Sequence, residues 1–139
     1  MDGKPILDIK IEANGPAVQM KGESAEVLMI PFRGAARGDI FSGVVEPSGV
    51  DVQTVNAAGV RHMCARYMLT GRDAEGNDCH IYVENNGWFD DSRPWMPFRT
   101  VPTFLTDSPA LAPYLHRSRF VGEGANAPDG LHILFFEIG

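Results

Sequence analysis

Apolar and polar residues alternate over Ile6-Leu7-Asp8-Ile9-Lys10-Ile11, the period-two pattern of a strand with one buried face. Val27 to Phe32 is a continuous apolar run that stops at Arg33-Gly34. Ile40 to Val45 lies between Gly38-Asp39 and Pro47-Ser48-Gly49, and Val50 to Val55 ends at Asn56-Ala57-Ala58-Gly59. Arg61 to Thr70 and Cys79 to Asn86 flank the polar segment Gly71 to Asp78, which predicts a hairpin. Phe98 to Val101, Phe120-Val121-Gly122 and Leu131 to Ile138 complete the set. Helical periodicity is confined to Ser108-Pro109-Ala110-Leu111-Ala112-Pro113-Tyr114-Leu115-His116, with Ser108 as cap and Pro109 at the first helical position.

Turn residues bound nearly every run: 15 glycines and 10 prolines are spread along the chain, so the strands are short and regularly spaced. Eight or nine strands of this kind settle their unpaired edges most completely by closing on themselves. The expectation is therefore an all-β fold: an antiparallel, closed or nearly closed barrel of about eight strands with one helical turn at 108–116. A flat sandwich is the competitor on pattern alone. No repeat, low-complexity tract or linker interrupts the chain, so a single domain over 1–139 is expected. An eight-stranded barrel has room inside for side chains or one small ligand.

Composition narrows the function classes. With 44% hydrophobic and 22% charged residues the chain is globular, and a net charge of -6 with scattered arginines argues against a nucleic-acid partner. No apolar run is long enough for a bilayer and the first residues do not resemble a secretory leader, so no membrane partner and a cytoplasmic location are expected. Cys64 and Cys79 then read as reduced thiols. On the two arms of the predicted hairpin they sit several residues apart along the strands, beyond the ~7 Å Cα limit for a disulfide.

Metal and nucleotide chemistry find little support. His62, Cys64, Cys79, His80, His116 and His132 lack the close spacings that mark a site, so neither metal nor other cofactor is expected. There is no Gly-x-Ser-x-Gly elbow. Gly122-Glu123-Gly124-Ala125-Asn126-Ala127 lacks the third glycine and following helix of a dinucleotide cradle, and predicts a loop before the Pro128-Asp129-Gly130 turn.

Polar residues inside strand runs are more informative. Arg66 shares a strand face with His62, Cys64 and Met68; Asp51 and Gln53 share one away from Val50 and Val52. Asn85 shares a face with Ile81 and Val83, and Arg99 interrupts Phe98-Arg99-Thr100. Apolar walls carrying a few convergent polar groups are what a ligand pocket is made of.

The same stretches resemble the bacterial and fungal family known as domain of unknown function 3237. The resemblance is carried by Arg33-Gly34 with Gly38, Gly43-Val44, Gly49-Val50-Asp51-Val52-Gln53, Ala65-Arg66-Tyr67 and Glu75-Gly76. It continues through Ile81-Tyr82-Val83-Glu84-Asn85-Asn86-Gly87, Phe98-Arg99-Thr100-Val101-Pro102-Thr103-Phe104 and Phe120-Val121-Gly122. Order and spacing together, over roughly 24 to 138, make it specific. It implies a compact antiparallel barrel similar to allene oxide cyclase and the lipocalin-like barrels, and no reaction. The chain departs from the family at Val52, where a tryptophan is usual, at Leu105, which replaces a glutamate, and at Tyr114 and His116, which replace a tryptophan and an asparagine.

Together these readings predict a barrel that binds a small, partly apolar organic molecule. The preferred activity is cofactor-free acid–base chemistry of the isomerase, cyclase or lyase type; the alternative is a carrier that leaves its ligand unchanged. Asp51, Arg66, Tyr82 and His116 are the candidate catalytic residues. Gln53, Tyr67, Asn85, Arg99 and Tyr114 are the candidate binding residues, Tyr67 being a second choice of acid. His116 is attractive as a base because an unperturbed imidazole titrates near ~6.5. Arg66 and Arg99 are expected to point inward with Asp51 and Asn85 in reach, since a buried guanidinium needs acceptors. Phe135 and Phe136 point to opposite faces, so one ring should join Trp88, Phe89 or Trp95 in an outer apolar patch and support a homodimer.

Overall fold

A computed structural model describes residues 3–89 and 98–138. Its strands are β1 (Leu7–Ala13), β2 (Val18–Lys21), β3 (Glu26–Arg37), β4 (Phe41–Val45), β5 (Gly49–Val55), β6 (Arg61–Asp73) and β7 (Asp78–Phe89), followed by β8 (Phe98–Thr106). A single helical turn, α1 (Ala112–Leu115), leads to β9 (Arg119–Ala127) and β10 (Gly130–Ile138).

All pairings are antiparallel, and they close. From β1 the order runs through β10, β9, β8, β7 and β6, and β3 returns to β1. Between β6 and β3 two short strands share one stave: β5 pairs Val50–Val55 with Arg61–Arg66, and β4 pairs Phe41–Val45 with Leu69–Asp73. Counting that shared stave once leaves an eight-stave barrel, as the strand pattern predicts. β2 lies outside the ring as a strand on β3, and its residues are all exposed.

The sharp return between β4 and β6 depends on paired glycines. Gly43 lies opposite Gly71, and a side chain at Gly71 would meet the Ser42 carbonyl oxygen at 2.0 Å. The hairpin predicted between 70 and 79 forms with Glu75-Gly76 at its tip, Gly76 taking φ 83°. Two expectations need correction. Gly122 to Ala127 is strand, part of β9, where a loop is predicted. The glycines are tolerated because neighbouring rings fill the space their side chains would occupy: a Cβ at Gly124 would lie 2.1 Å from Phe98. Ser108 does not cap α1, whose N-cap is Leu111. Its hydroxyl instead accepts the Leu111 amide at 3.2 Å, tightening the turn before the helix.

The core is densest where α1 sits. Phe104 packs edge-on against Phe120 at 5.2 Å and Phe135 at 5.1 Å, and Tyr114 closes on Phe120 at 5.4 Å. Leu111 and Leu115 bury over this cluster, so the helical turn plugs one end of the barrel. Cys64 lies opposite Asn86 and Cys79 opposite Gly71, well apart along the hairpin, and both are free thiols. No helix among the described residues is long and apolar enough to cross a membrane.

Candidate functional site

Register decides what the interior contains, since alternate strand residues face alternate sides. One inward ring runs Ile30, Asp51, Ala65, Asn85, Pro102 across successive strands. The ring toward the unplugged end runs Leu28, Gln53, Met63, Gly87. Between them lies a partly enclosed cavity of about 60 Å³ walled by Ile11, Phe32, Met63, Phe98, Leu131 and Ile133. Asp51, Tyr67 and Asn85 bring polar groups to the same wall. Phe32 and Phe98 lie flat on Gly49 and Gly124, where any side chain would strike the rings, and Phe32 meets Tyr67 edge-on at 5.3 Å.

The polar groups here are poorly satisfied. Asp51 Oδ1, Tyr67 OH, Asn85 Oδ1 and Thr100 Oγ1 are buried with no hydrogen-bond partner among the described residues. All four belong to inward-facing positions, Thr100 lying on the same face of β8 as Phe98. Buried polar atoms are nearly always paired, and leaving one unpaired costs about 1–3 kcal/mol. Three of them, from Asp51, Tyr67 and Asn85, line one cavity, and Thr100 faces inward on the neighbouring strand β8.

Asp51 is the ionisable centre. Desolvation pushes its carboxyl above the usual aspartate range, partly offset by the Gln53 amide, which donates to Asp51 Oδ2 at 2.9 Å. Gln53 Oε1 in turn accepts from Arg61 Nη1 at 3.2 Å, and Arg61 Nη2 donates to Glu26 Oε2 at 3.0 Å. Burial alone raises the Tyr67 phenol far above its ordinary range, so it stays protonated and acts as a hydrogen-bond donor.

Of the predicted site residues, the structure brings Asp51, Gln53, Tyr67 and Asn85 together. Arg66 and Arg99 do not point inward, and the expectation that they meet Asp51 and Asn85 is corrected. Arg66 lies on the outer face, 61% exposed, paired with Glu84 at 3.1 Å. Arg99 is exposed on the outer face of β8, opposite Glu123. The face shared by His62, Cys64, Arg66 and Met68 is a real one, but it is the wet face, as the alternation with buried Met63, Tyr67 and Leu69 requires. Tyr82 also lies on that side, between Met68 and Leu105. Tyr114 and His116 sit at the plugged end. The Tyr114 hydroxyl donates to Glu137 Oε1 at 2.8 Å, and burial pushes its pKa up to about 12. His116 Nε2 accepts the Thr106 amide at 3.0 Å and is exposed.

Sequence reasoning passes over Glu26, Arg61 and Thr100. Thr100 is accessible to strand alternation from Phe98, whereas the first two stand at strand ends where a charge usually means solvent. The outer patch is corrected as well. Phe135, Phe136 and Phe89 are all buried, Trp88 is 55% exposed, and Trp95 lies outside the described residues. Exposed apolar side chains on the outer sheet are instead Met29, Met68, Val101 and Leu105. Among the described residues no three His, Cys, Asp or Glu side chains group to hold a metal ion.

Comparison with known proteins agrees with this barrel. The family model described as Protein of unknown function (DUF3237) matches residues 2–138. The UPF0311 protein of Clostridium acetobutylicum is 31% identical over 126 residues, covering 79% of this chain and 76% of that one. The crystal structure of a protein with unknown function from the same organism superposes with a TM-score of 0.78 and 28% identity, covering 100% of both chains. A crystal structure described as an enzyme from Penicillium herquei gives a TM-score of 0.67 at 16% identity over 100% of this chain and 98% of that one, a likeness of fold.

Proposed function

This chain belongs to the family described as Protein of unknown function (DUF3237), and from the site it carries we propose a small-molecule-binding barrel that works by cofactor-free acid–base chemistry. The observation that carries the reading is the set of four buried polar atoms without a partner among the described residues, Asp51 Oδ1, Tyr67 OH, Asn85 Oδ1 and Thr100 Oγ1. An apolar ligand bearing a hydroxyl and a carbonyl would satisfy them. Asp51, whose carboxyl pKa is raised by desolvation, is the proton acceptor. Tyr67 donates a hydrogen bond to an oxygen that gains charge as the proton leaves, and Asn85 Oδ1, which can only accept, takes one from the ligand's hydroxyl. Isomerisation, cyclisation and elimination all fit these parts, and the Penicillium herquei neighbour is described as an enzyme.

The cavity of about 60 Å³ is small beside the ~300–1,000 Å³ of drug-sized sites. It takes one functional end of a molecule, with the remainder toward the unplugged end. The apolar character of the wall also favours a second reading, a carrier that holds the same ligand unchanged.

Native mass spectrometry of protein purified from its own host tests the proposal. The expected result is a retained small molecule that is lost in Tyr67→Phe and Asn85→Leu, each folded. Retention undiminished in both variants would sink the reading. Recovery of the molecule altered after incubation, and unaltered with Asp51→Asn, separates enzyme from carrier. The homodimer is proposed through the outer face carrying Met68, Tyr82 and Leu105, with a light-scattering mass of twice 15.2 kDa expected.

A further inference from the structure

Asp51 is reached by a chain of side chains that begins outside the cavity. Glu26 on β3 holds Arg61 on β6, Arg61 holds Gln53 on β5, and Gln53 holds Asp51 two residues back on the same strand. The contacts measure 3.0, 3.2 and 2.9 Å.

The chain has a direction. A guanidinium can only donate hydrogen bonds, so it meets the oxygen of the Gln53 amide and never its nitrogen. That choice leaves the Gln53 NH2 facing Asp51, and an NH2 only donates. Turning the amide over would set N–H against N–H at Arg61 and oxygen against oxygen at Asp51. Asp51 Oδ2 is thereby committed as an acceptor. Oδ1, buried in the cavity wall with no partner among the described residues, is the carboxyl oxygen with both lone pairs open to a proton.

We infer that Arg61 and Gln53 are positioning residues which act in series to make Asp51 Oδ1 the proton-transfer atom of the cavity. The inference rests on the acid–base reading above and adds which atom acts and what aims it. Arg61 itself is not one of the residues lining the cavity. Glu26 prevents it from swinging toward the carboxylate and replacing Gln53. Among the described residues, the charged and titratable groups around Asp51 are Glu26 from β3, Arg61 and Tyr67 from β6, and His62 on the far side of the same strand; β7 presents the neutral Asn85.

The test is the titration of Asp51 itself, followed by carboxyl carbon NMR in the full chain, so that no ligand is needed. Gln53→Leu is expected to raise the Asp51 midpoint, with about tenfold higher proton affinity, a shift of about one unit. Arg61→Met should also raise it, and Arg61→Lys should restore part of the shift by again donating to Gln53 Oε1. The field of Arg61 alone would raise the midpoint too, so the double variant decides. In series, Arg61→Met adds little once Gln53 is leucine; acting through its field alone, it adds the same shift in both backgrounds. Equal, additive shifts would overturn the inference, as would an unmoved midpoint in Gln53→Leu. Should Arg61→Met fail to fold, Arg61→Gln carries the same comparison. These outcomes are independent of whether the host protein retains a ligand, so the inference and the function proposed above can fail separately.

Discussion

The two ends of the barrel treat buried polar groups in opposite ways. At the plugged end, Asp73 Oδ1 accepts the amides of Glu75 and Asn77, each at 3.0 Å, and Oδ2 accepts the Ser108 hydroxyl at 3.4 Å. Ser108 also receives the Leu111 amide. Both residues are buried, and their polar atoms tie the β6–β7 turn to the turn ahead of α1. At the other end Asn85 and Thr100 are equally buried, 2% and 1% exposed, yet Asn85 Oδ1 and Thr100 Oγ1 have no partner among the described residues. The aromatic cluster of Phe104, Phe120 and Phe135 fills the first end, while a cavity occupies the second. Polar groups that complete hydrogen bonds stabilise the fold. Polar groups held open destabilise it and make sense only for a partner that comes later.

The largest test of that contrast is Phe104→Ala. Its ring joins two others in the packed end, so about 3–5 kcal/mol of stability should be lost. Denaturant unfolding would show this, and a loss under about 1 kcal/mol would mean the plugged end is no better packed than the cavity end.

Polar deletions at the two ends should differ in sign. Asp73→Ala removes a partner from two backbone amides and a hydroxyl, and should destabilise by about 1–3 kcal/mol. Tyr67→Phe removes one unpaired hydroxyl and should stabilise the ligand-free protein by about 1 kcal/mol. Destabilisation by both would end the comparison, because Tyr67 OH would then have a structural role.

A smaller, pH-dependent effect belongs to the seam where β1 meets β10. His132 donates from both ring nitrogens when charged, Nδ1 to Asp8 at 2.6 Å and Nε2 to Asp129 at 2.7 Å. The Asp8 contact chiefly raises its pKa above 6.5. A raised folded-state value favours protonation in the fold, so this stability is full below about pH 6.5 and lost as pH rises through the higher, folded value. His132→Gln should therefore lower the melting temperature at pH 6 and do so much less at pH 9. An equal loss at both values would show that the ion pairs contribute nothing.

Arg66→Met should have the smallest effect of all. Its partner Glu84 lies beside it in solvent, and exposed pairs of this kind contribute little. The melting temperature and any retained ligand should be unchanged; loss of the ligand would bring Arg66 back into the site.

Most of the barrel was legible along the chain because strand signals are local. Alternation at 6–11, apolar runs ended by Gly and Pro, and the Glu75-Gly76 turn each depend on neighbours within a few residues. β9 was partly missed for a non-local reason: Gly122 and Gly124 lie under Thr100 and Phe98 from β8, and only that packing excuses them in a strand. The candidate site was half legible. Alternation grouped Asp51 with Gln53 and set Asn85 beside Ile81 and Val83, and those groupings hold. The same rule grouped Arg66 with His62 and Met68, and by itself it assigns no group to the inside.

By itself, then, the sequence determined most of the strands, their turns, an all-β architecture and which residues share a face, while closure into a barrel rather than a sandwich rested on the edge argument. Tertiary structure alone decided which face is inward, because that depends on the register among β5, β6, β7 and β8, set by the whole ring at once. It also decided that Arg61 reaches Asp51 through Gln53, and that Tyr67 OH, Asn85 Oδ1 and Thr100 Oγ1 find no partner among the described residues. A hydrogen bond needs atoms within about 3 Å, and no spacing along one strand reports that distance to a residue on another.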